Sequence, residues 1–129
     1  MVKKNLKILT WINAFFPPVL WAGVIFLFSS QQALPGFDTS AVDFIFKKVA
    51  HMFVYAVLYL LLARGVEMVA DEKSDPKVKI FVPLILVLCY AVSDEIHQSF
   101  VPNRYATLRD VGYDILGSSL VILKKYKYI

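Results

Sequence analysis

Charge is scarce in this sequence: Asp, Glu, Lys and Arg make up 19% of its 129 residues, while 58% are hydrophobic and 15% aromatic. A soluble domain carries about a quarter charged and about half apolar residues. The composition therefore excludes an ordinary soluble domain and points to an integral membrane protein. Cysteine is scarcer still, with Cys89 alone. That excludes an intrachain disulfide framework or a cysteine-based metal centre, and leaves Cys89 as a packing residue. Only two histidines occur, His51 and His97; they are too far apart to form the compact zinc signature of two histidines four apart on one helix. A basic helix or aromatic-interleaved basic patch is also missing. The net charge of +4 is spread over the flanks of apolar runs, so no nucleic acid is expected as a partner.

What the chain has is long apolar runs. Four can be read, at about 8–29, 49–69, 78–100 and 107–123, each near the roughly 20 residues that cross a hydrocarbon core of about 30 Å, and the helices expected from them run at about 8–29, 42–69, 78–100 and 107–123. They predict one all-α domain over 1–129, an integral membrane four-helix bundle made of two helical hairpins. The first run follows Lys3, Lys4 and Lys7 as a secretory signal would. Its Trp11, Phe15, Phe16 and Trp21 are unlike a plain signal core, and Gln31 spoils a small-x-small cleavage site before Leu34. Pro17-Pro18 should kink or locally unwind this helix. Ten of the 14 lysines and arginines flank one set of helix ends, and Lys47, Lys48, Arg104 and Arg109 flank the other. By the positive-inside rule both termini and the loop around 71–79 are cytoplasmic.

That orientation gathers the polar residues on the opposite side. Ser29, Ser30, Asp38, Asp43, Lys47, Lys48 and His51 lie around the first turn; Asp94, Glu95, His97, Gln98, Arg104, Arg109, Asp110 and Asp114 lie around the second. The densest stretch is Ser93-Asp94-Glu95-Ile96-His97-Gln98, at the end of the apolar run from Ile80. An ionisable group at bilayer depth costs roughly 3 kcal/mol on insertion scales, so such a cluster points to an inward-facing, paired, functional site. Helical spacing sorts the residues into stripes: Lys48, His51, Tyr55, Leu58 and Leu62 on the second helix; Tyr90, Asp94, His97 and Gln98 on the third, with Glu95 about 100° round; Asp110, Asp114 and Gly117 on the fourth. Gly117-Ser118-Ser119 supplies the small residues that let membrane helices approach closely.

Plainer readings stand beside these. Thr107-x-x-Asp110 and Ser40-x-x-Asp43 have the spacing of helix N-terminal caps. Lys47 and Lys48 have the reach to snorkel to headgroups, and His51 alone would serve as a hydrogen-bonded bundle residue. Capping does not explain Asp94 and Glu95, because acids at a helix C-terminal end oppose its dipole.

Ser29-Ser30, Lys48-x-x-His51-x-x-x-Tyr55 and the run Ser93-Asp94-Glu95-x-His97-Gln98-x-Phe100-x-Pro102-x-Arg104-x5-Asp110 resemble the VanZ-like family of small bacterial membrane proteins, over about residues 18–120. The resemblance implies a four-helix fold in the bacterial cytoplasmic (inner) membrane and, from the family's namesake, lowered susceptibility to the lipoglycopeptide teicoplanin. It supplies no enzyme activity. The family often has Asn where this chain has Asp114, so the extra negative charge is expected to alter a cation requirement or the partner of Arg104 or Arg109.

Several mechanisms fit these residues. In an enzyme acting on an envelope lipid or cell-wall precursor, Asp94 or Glu95 would be the base and His97 or His51 the acid. Arg104 would hold an anionic phosphate or carboxylate, with Lys48, Tyr55, Gln98, Asp110, Asp114, Ser29 and Ser30 around the substrate. No nucleophile stands out, since Ser29 and Ser30 can instead bond back to helix carbonyls. A metal version would draw on His51, His97, Asp94, Glu95, Asp110 or Asp114, but the set lacks a metal-site spacing, and the cofactor stays undetermined. A binding module would recognise a membrane lipid, a lipid-linked cell-wall precursor or a lipoglycopeptide without turning it over. A transporter or proton relay would need a polar path that the runs 80–87 and 57–62 do not offer. A purely structural role would have the charges pair across helices and lock the bundle.

Overall fold

A computed structural model describes residues 2–31 and 40–129. Asp38 lies outside the described residues, as does the side chain of Ser40 in the Ser40-x-x-Asp43 reading. Among the described residues the chain is all-helical, with α1 at Val2–Ser29, α2 at Ser40–Val69, α3 at Pro76–Ser99 and α4 at Leu108–Lys125. The four apolar runs thus become four helices, with α1 and α4 extended past the apolar limits by lysine-rich turns. At the start of α3 the Asp75 carboxylate accepts the Lys77 N–H at 2.9 Å. Pro76 follows at the first helical position, where its missing N–H has no intrahelical partner to lose. In α4, Asp110 in the first turn and Lys124 and Lys125 in the last complement the helix dipole.

The local unwinding expected at Pro17-Pro18 does not occur: helical backbone runs unbroken from Val2 to Ser29. Pro17 has no N–H to give the Asn13 carbonyl. That carbonyl accepts instead from Arg64 Nη1 of α2 at 3.2 Å, while Nη2 donates to the Asn13 side-chain oxygen at 3.3 Å. The same device recurs in α3, where Pro83 leaves the Lys79 carbonyl free and the Tyr126 hydroxyl donates to it at 3.5 Å. At Pro17 and Pro83 a side chain from elsewhere in the bundle thus supplies the donor that the proline withholds.

Cross-helix bonds fix an up-down-up-down order. Asn13 meets Arg64, and the Trp21 indole N–H donates to the Val54 carbonyl at 2.8 Å, so α1 and α2 run antiparallel. Ala22 meets Tyr90 and Ser29 meets Gln98, so α1 and α3 run parallel. The pairs Lys48 with Asp110 and His51 with Asp114 set α4 parallel to α2. Central to the assembly is α2, which touches the other three helices, whereas α1 and α4 are not neighbours. Gly65 lets α2 approach α1 and Gly117 lets α4 approach α2: a Cβ on Gly65 would stand 2.6 Å from the Ala14 carbonyl oxygen, and one on Gly117 would stand 2.8 Å from Met52 Cα.

The distribution of polarity is inverted relative to a soluble protein. Leu20, Leu27, Phe53, Ile85 and many other large apolar side chains are exposed, while Asp94, Glu95, Gln98, Asp110, Asp114 and Ser118 are buried. Helices α1, α2 and α3 are each long and apolar enough to cross a membrane. The fourth expected span departs from this pattern: α4 has 18 residues and includes Arg109, Asp110, Asp114, Lys124 and Lys125. Its length of about 27 Å at 1.5 Å per residue suits a span, but its charges keep it out of the apolar class and turn its inner face toward α2.

Candidate functional site

Two stripes of residues at successive helical turns face each other across α2 and α4. Lys48 Nζ donates to Asp110 Oδ1. One turn on, His51 Nδ1 lies 3.0 Å from Asp114 Oδ1. At the next step the Ser118 hydroxyl donates to the Tyr55 carbonyl at 3.3 Å. Because the helices are parallel, steps of three or four residues on each keep the stripes in register, and Gly117 brings them close enough to bond. The Lys48 ammonium also lies 5.3 Å from the centre of the Phe44 ring and 5.4 Å from that of Tyr113, so a flexible lysine is held on three sides.

A third set comes from α3 and the turn after it. Asp94, Glu95 and Gln98 are all buried. The Tyr55 hydroxyl donates to Asp94 Oδ2 at 2.9 Å, and Gln98 Nε2 donates to the same oxygen at 3.2 Å and to Ser29 Oγ at 3.3 Å. The amide oxygen of Gln98 accepts from Arg104 Nη2 at 2.9 Å. Since Arg104 can only donate, this contact fixes which way the amide points. Glu95 faces the other way: its Oε2 accepts the Thr107 N–H at 3.0 Å, and the Thr107 hydroxyl donates to Asp110 Oδ2 at 2.8 Å. Thr107 thereby ties the α3 carboxylate to the Lys48–Asp110 pair. It makes no side-chain cap bond to the α4 backbone, so the capping reading of Thr107-x-x-Asp110 gives way to a bond between the two side chains.

The residues singled out from the sequence fall into three groups. Asp94, Tyr55, Gln98, Ser29 and Arg104 form one hydrogen-bonded set; Lys48, Asp110 and Glu95 form a second, joined through Thr107; His51 and Asp114 form a third between them. His97 is not brought into any of these sets. Its ring stacks on Phe26, with centroids 4.5 Å apart, and its buried Nδ1 takes no partner among the described residues. Ser30 donates back to the Phe26 carbonyl at 2.8 Å, one turn below. Lys47 pairs with Asp43 at 2.6 Å, and Arg109 is exposed. Asp114 takes neither Arg104 nor Arg109 but His51, because parallel packing of α4 on α2 points it inward at full burial. Thr107 as a tether and Trp21 as a clamp on Val54 were not legible as site residues, since each acts on a group more than ten residues away. Among the described residues no group of three His, Cys, Asp or Glu side chains is arranged to hold a metal ion.

Two carboxylate oxygens, Glu95 Oε1 and Asp114 Oδ2, are buried without a hydrogen-bond partner among the described residues. Among the described residues the Arg104 guanidinium forms no ion pair with a carboxylate, and its side chain bonds to Gln98. A cavity of about 250 Å³ opens between α1 and α2 at this end of the molecule. Ser29, Lys47, His51, Tyr55, Asp94 and Arg104 contribute to its wall, and the remaining lining residues are apolar. The arrangement can hold an anionic group at Arg104 beside an apolar one in the cavity, with Asp94 and Tyr55 at the junction.

No curated protein and no solved structure matches the chain. The model of the VanZ/LLP1 family matches residues 4–124, nearly its whole length. With three helices apolar enough to cross a bilayer, this chain is a membrane protein and belongs to the VanZ/LLP1 family.

Proposed function

We propose that the protein binds an anionic envelope lipid or lipid-linked cell-wall precursor at the outer face of the bacterial cytoplasmic membrane, and so lowers susceptibility to lipoglycopeptides such as teicoplanin. In this reading it is a multi-pass four-helix bundle of two hairpins, with both termini and the α2–α3 loop in the cytoplasm. The lysine and arginine asymmetry supports that orientation. The observation that carries the ligand class is Arg104: a guanidinium with no described carboxylate partner, held by Gln98 at the wall of an apolar cavity. A planar fork of donors in that setting suits a phosphate or carboxylate.

Binding is favoured over turnover because most of the conventional acid–base groups are already engaged with one another. Lys48 neutralises Asp110, His51 faces Asp114 and Tyr55 donates to Asp94. A catalytic reading rests on Glu95, whose Oε1 has no described partner while Oε2 anchors Thr107; it would serve as the base. A transport reading has less support, since the core beyond Tyr55 passes through Leu58, Ala63, Val66 and Val87.

The test is native mass spectrometry of the gently extracted protein beside Arg104→Ala. An anionic lipid or precursor adduct carried by the parent and lost from the folded variant is the expected result. Equal adducts on both would remove Arg104 as the headgroup residue and the proposal with it. In cells, Asp94→Asn and Glu95→Gln should insert normally and lose the teicoplanin phenotype; full retention in both would return these carboxylates to a structural role.

A further inference from the structure

Helices α1 and α2 do not keep a constant separation. At the middle of α1 they touch, with the Gly65 backbone pressed on the Ala14 carbonyl. About two turns further on, Trp21 clamps the Val54 carbonyl at 2.8 Å. Beyond that clamp the cavity begins, walled by Val24, Ile25 and Phe28 on α1 and by Phe46, Ala50 and Val54 on α2. Those α2 residues recur every four positions, so they form one apolar strip along the helix. Each apolar strip is bordered by the polar site: Ser29 follows Phe28, His51 follows Ala50 and Tyr55 follows Val54. The cavity is therefore two-sided, with hydrocarbon walls and two cations on its rim, Lys47, already paired with Asp43, and Arg104, paired with no described carboxylate.

Its size limits the occupant. At roughly 30 Å³ per small group, 250 Å³ holds a chain segment of about eight. That is below the roughly 300 Å³ at which pockets for whole drug-sized molecules begin. A sugar or peptide headgroup does not fit such walls, whereas a single hydrocarbon chain does, and its partner phosphate would sit at Arg104. We infer that the α1–α2 cavity takes one acyl chain of an anionic phospholipid, entering sideways from the bilayer between the two helices, with the lipid phosphate on Arg104. The inference rests on the reading of Arg104 as the headgroup residue and adds the identity and route of the tail. Charge complementarity selects the anionic lipid; apolar walls in a helix pair that faces the bilayer select the chain.

The test uses the purified full-length protein in phosphatidylcholine vesicles containing a small fraction of phosphatidylglycerol with a photoactivatable group midway along one acyl chain. Crosslinks are mapped by peptide mass spectrometry. The expected sites are Val24, Phe28 and Phe46 to Val54, above the background at exposed Ile85 and Leu86 on α3. Ala50→Trp places an indole in the middle of the strip, and Val24→Phe is a milder plug if the first variant fails to fold. Each methylene kept out of the cavity is worth about fourfold, so excluding two or more should lower cavity crosslinking by more than roughly tenfold. Arg104→Ala should abolish the preference for phosphatidylglycerol over an equally labelled phosphatidylcholine.

If Arg104→Ala removes that preference while folded Ala50→Trp and Val24→Phe both keep full cavity labelling, the tail inference is overturned and the headgroup reading stands. Equal cavity labelling by both lipids in parent and Arg104→Ala overturns the headgroup reading as well. Labelling of the cavity by a polyprenyl phosphate probe but not by phosphatidylglycerol overturns the phospholipid assignment.

Discussion

Arg104 and Arg109 differ by five positions and by everything that matters to a ligand. Arg109 is exposed at the start of α4, whereas Arg104 is half-buried, oriented by Gln98 and set on the cavity wall. The orientation depends on a planar fork, one nitrogen of which donates to Gln98. Lysine keeps the charge without the fork. Arg104→Lys is therefore expected to hold anionic lipid weakly, closer to Arg104→Ala than to the parent in native mass spectra; parent-like retention would mean that charge alone suffices. At Lys48 the prediction concerns stability. Its partner Asp110 is largely buried and would otherwise keep only the Thr107 hydroxyl. Breaking a buried pair from one side costs about 3 kcal/mol, while replacing both members by apolar residues is often neutral. Lys48→Met should therefore lower the melting temperature in detergent more than Lys48→Met/Asp110→Leu does. A double-mutant coupling near zero would show that water or detergent solvates the pair.

Among the elements, the approach of α2 to its neighbours depends on two glycines that do opposite work from a third. Gly65 and Gly117 have neighbouring backbone where a Cβ would go, whereas Gly23 has nothing within 4 Å. Gly65→Ala and Gly117→Ala should each destabilise by about 1–3 kcal/mol through overpacking. Gly23→Ala should stabilise by roughly 0.5–1 kcal/mol through the lower entropy of the unfolded chain. Thermal unfolding in one detergent checks all three, and a stabilised Gly117→Ala would contradict the close packing of α4 on α2. These elements were largely legible in the sequence, since four apolar runs map onto four helices and the stripe from Lys48 to Tyr55 faces the stripe from Asp110 to Gly117. What could not be read was the pairing between runs. Helical spacing says which residues share a face but not which face meets it, so the contact of Asp114 with His51 could not be read from the two stripes. The unbroken α1 was hidden for the same reason: the donor that satisfies the carbonyl freed by Pro17 is Arg64, 51 residues away.

For the whole molecule, the proposed role depends on which way the site faces. The three described site groups and the cavity occupy the end formed by the α3–α4 turn, and the α2–α3 loop with its Lys73, Lys77 and Lys79 occupies the other. With ten basic residues at the loop-and-termini end against four at the site end, the lysine-rich end should stay in the cytoplasm. Single-cysteine labelling decides this, provided that exposed Cys89 is first replaced by serine. Asn103 is a poor reporter position, because its φ of 62° is a left-handed conformation that Asn tolerates better than Cys. Tyr105, 89% exposed two residues on, avoids that strain. In intact cells Tyr105→Cys should react with a membrane-impermeant maleimide, and Glu72→Cys should react only after permeabilisation. The reverse pattern would turn Arg104 and the cavity toward the inner leaflet. There they could still hold an anionic phospholipid, but they could not meet a cell-wall precursor or a lipoglycopeptide on the outer surface. The labelling therefore separates the lipid site, which depends on local chemistry, from the resistance role, which depends on the side of the membrane where that chemistry is displayed.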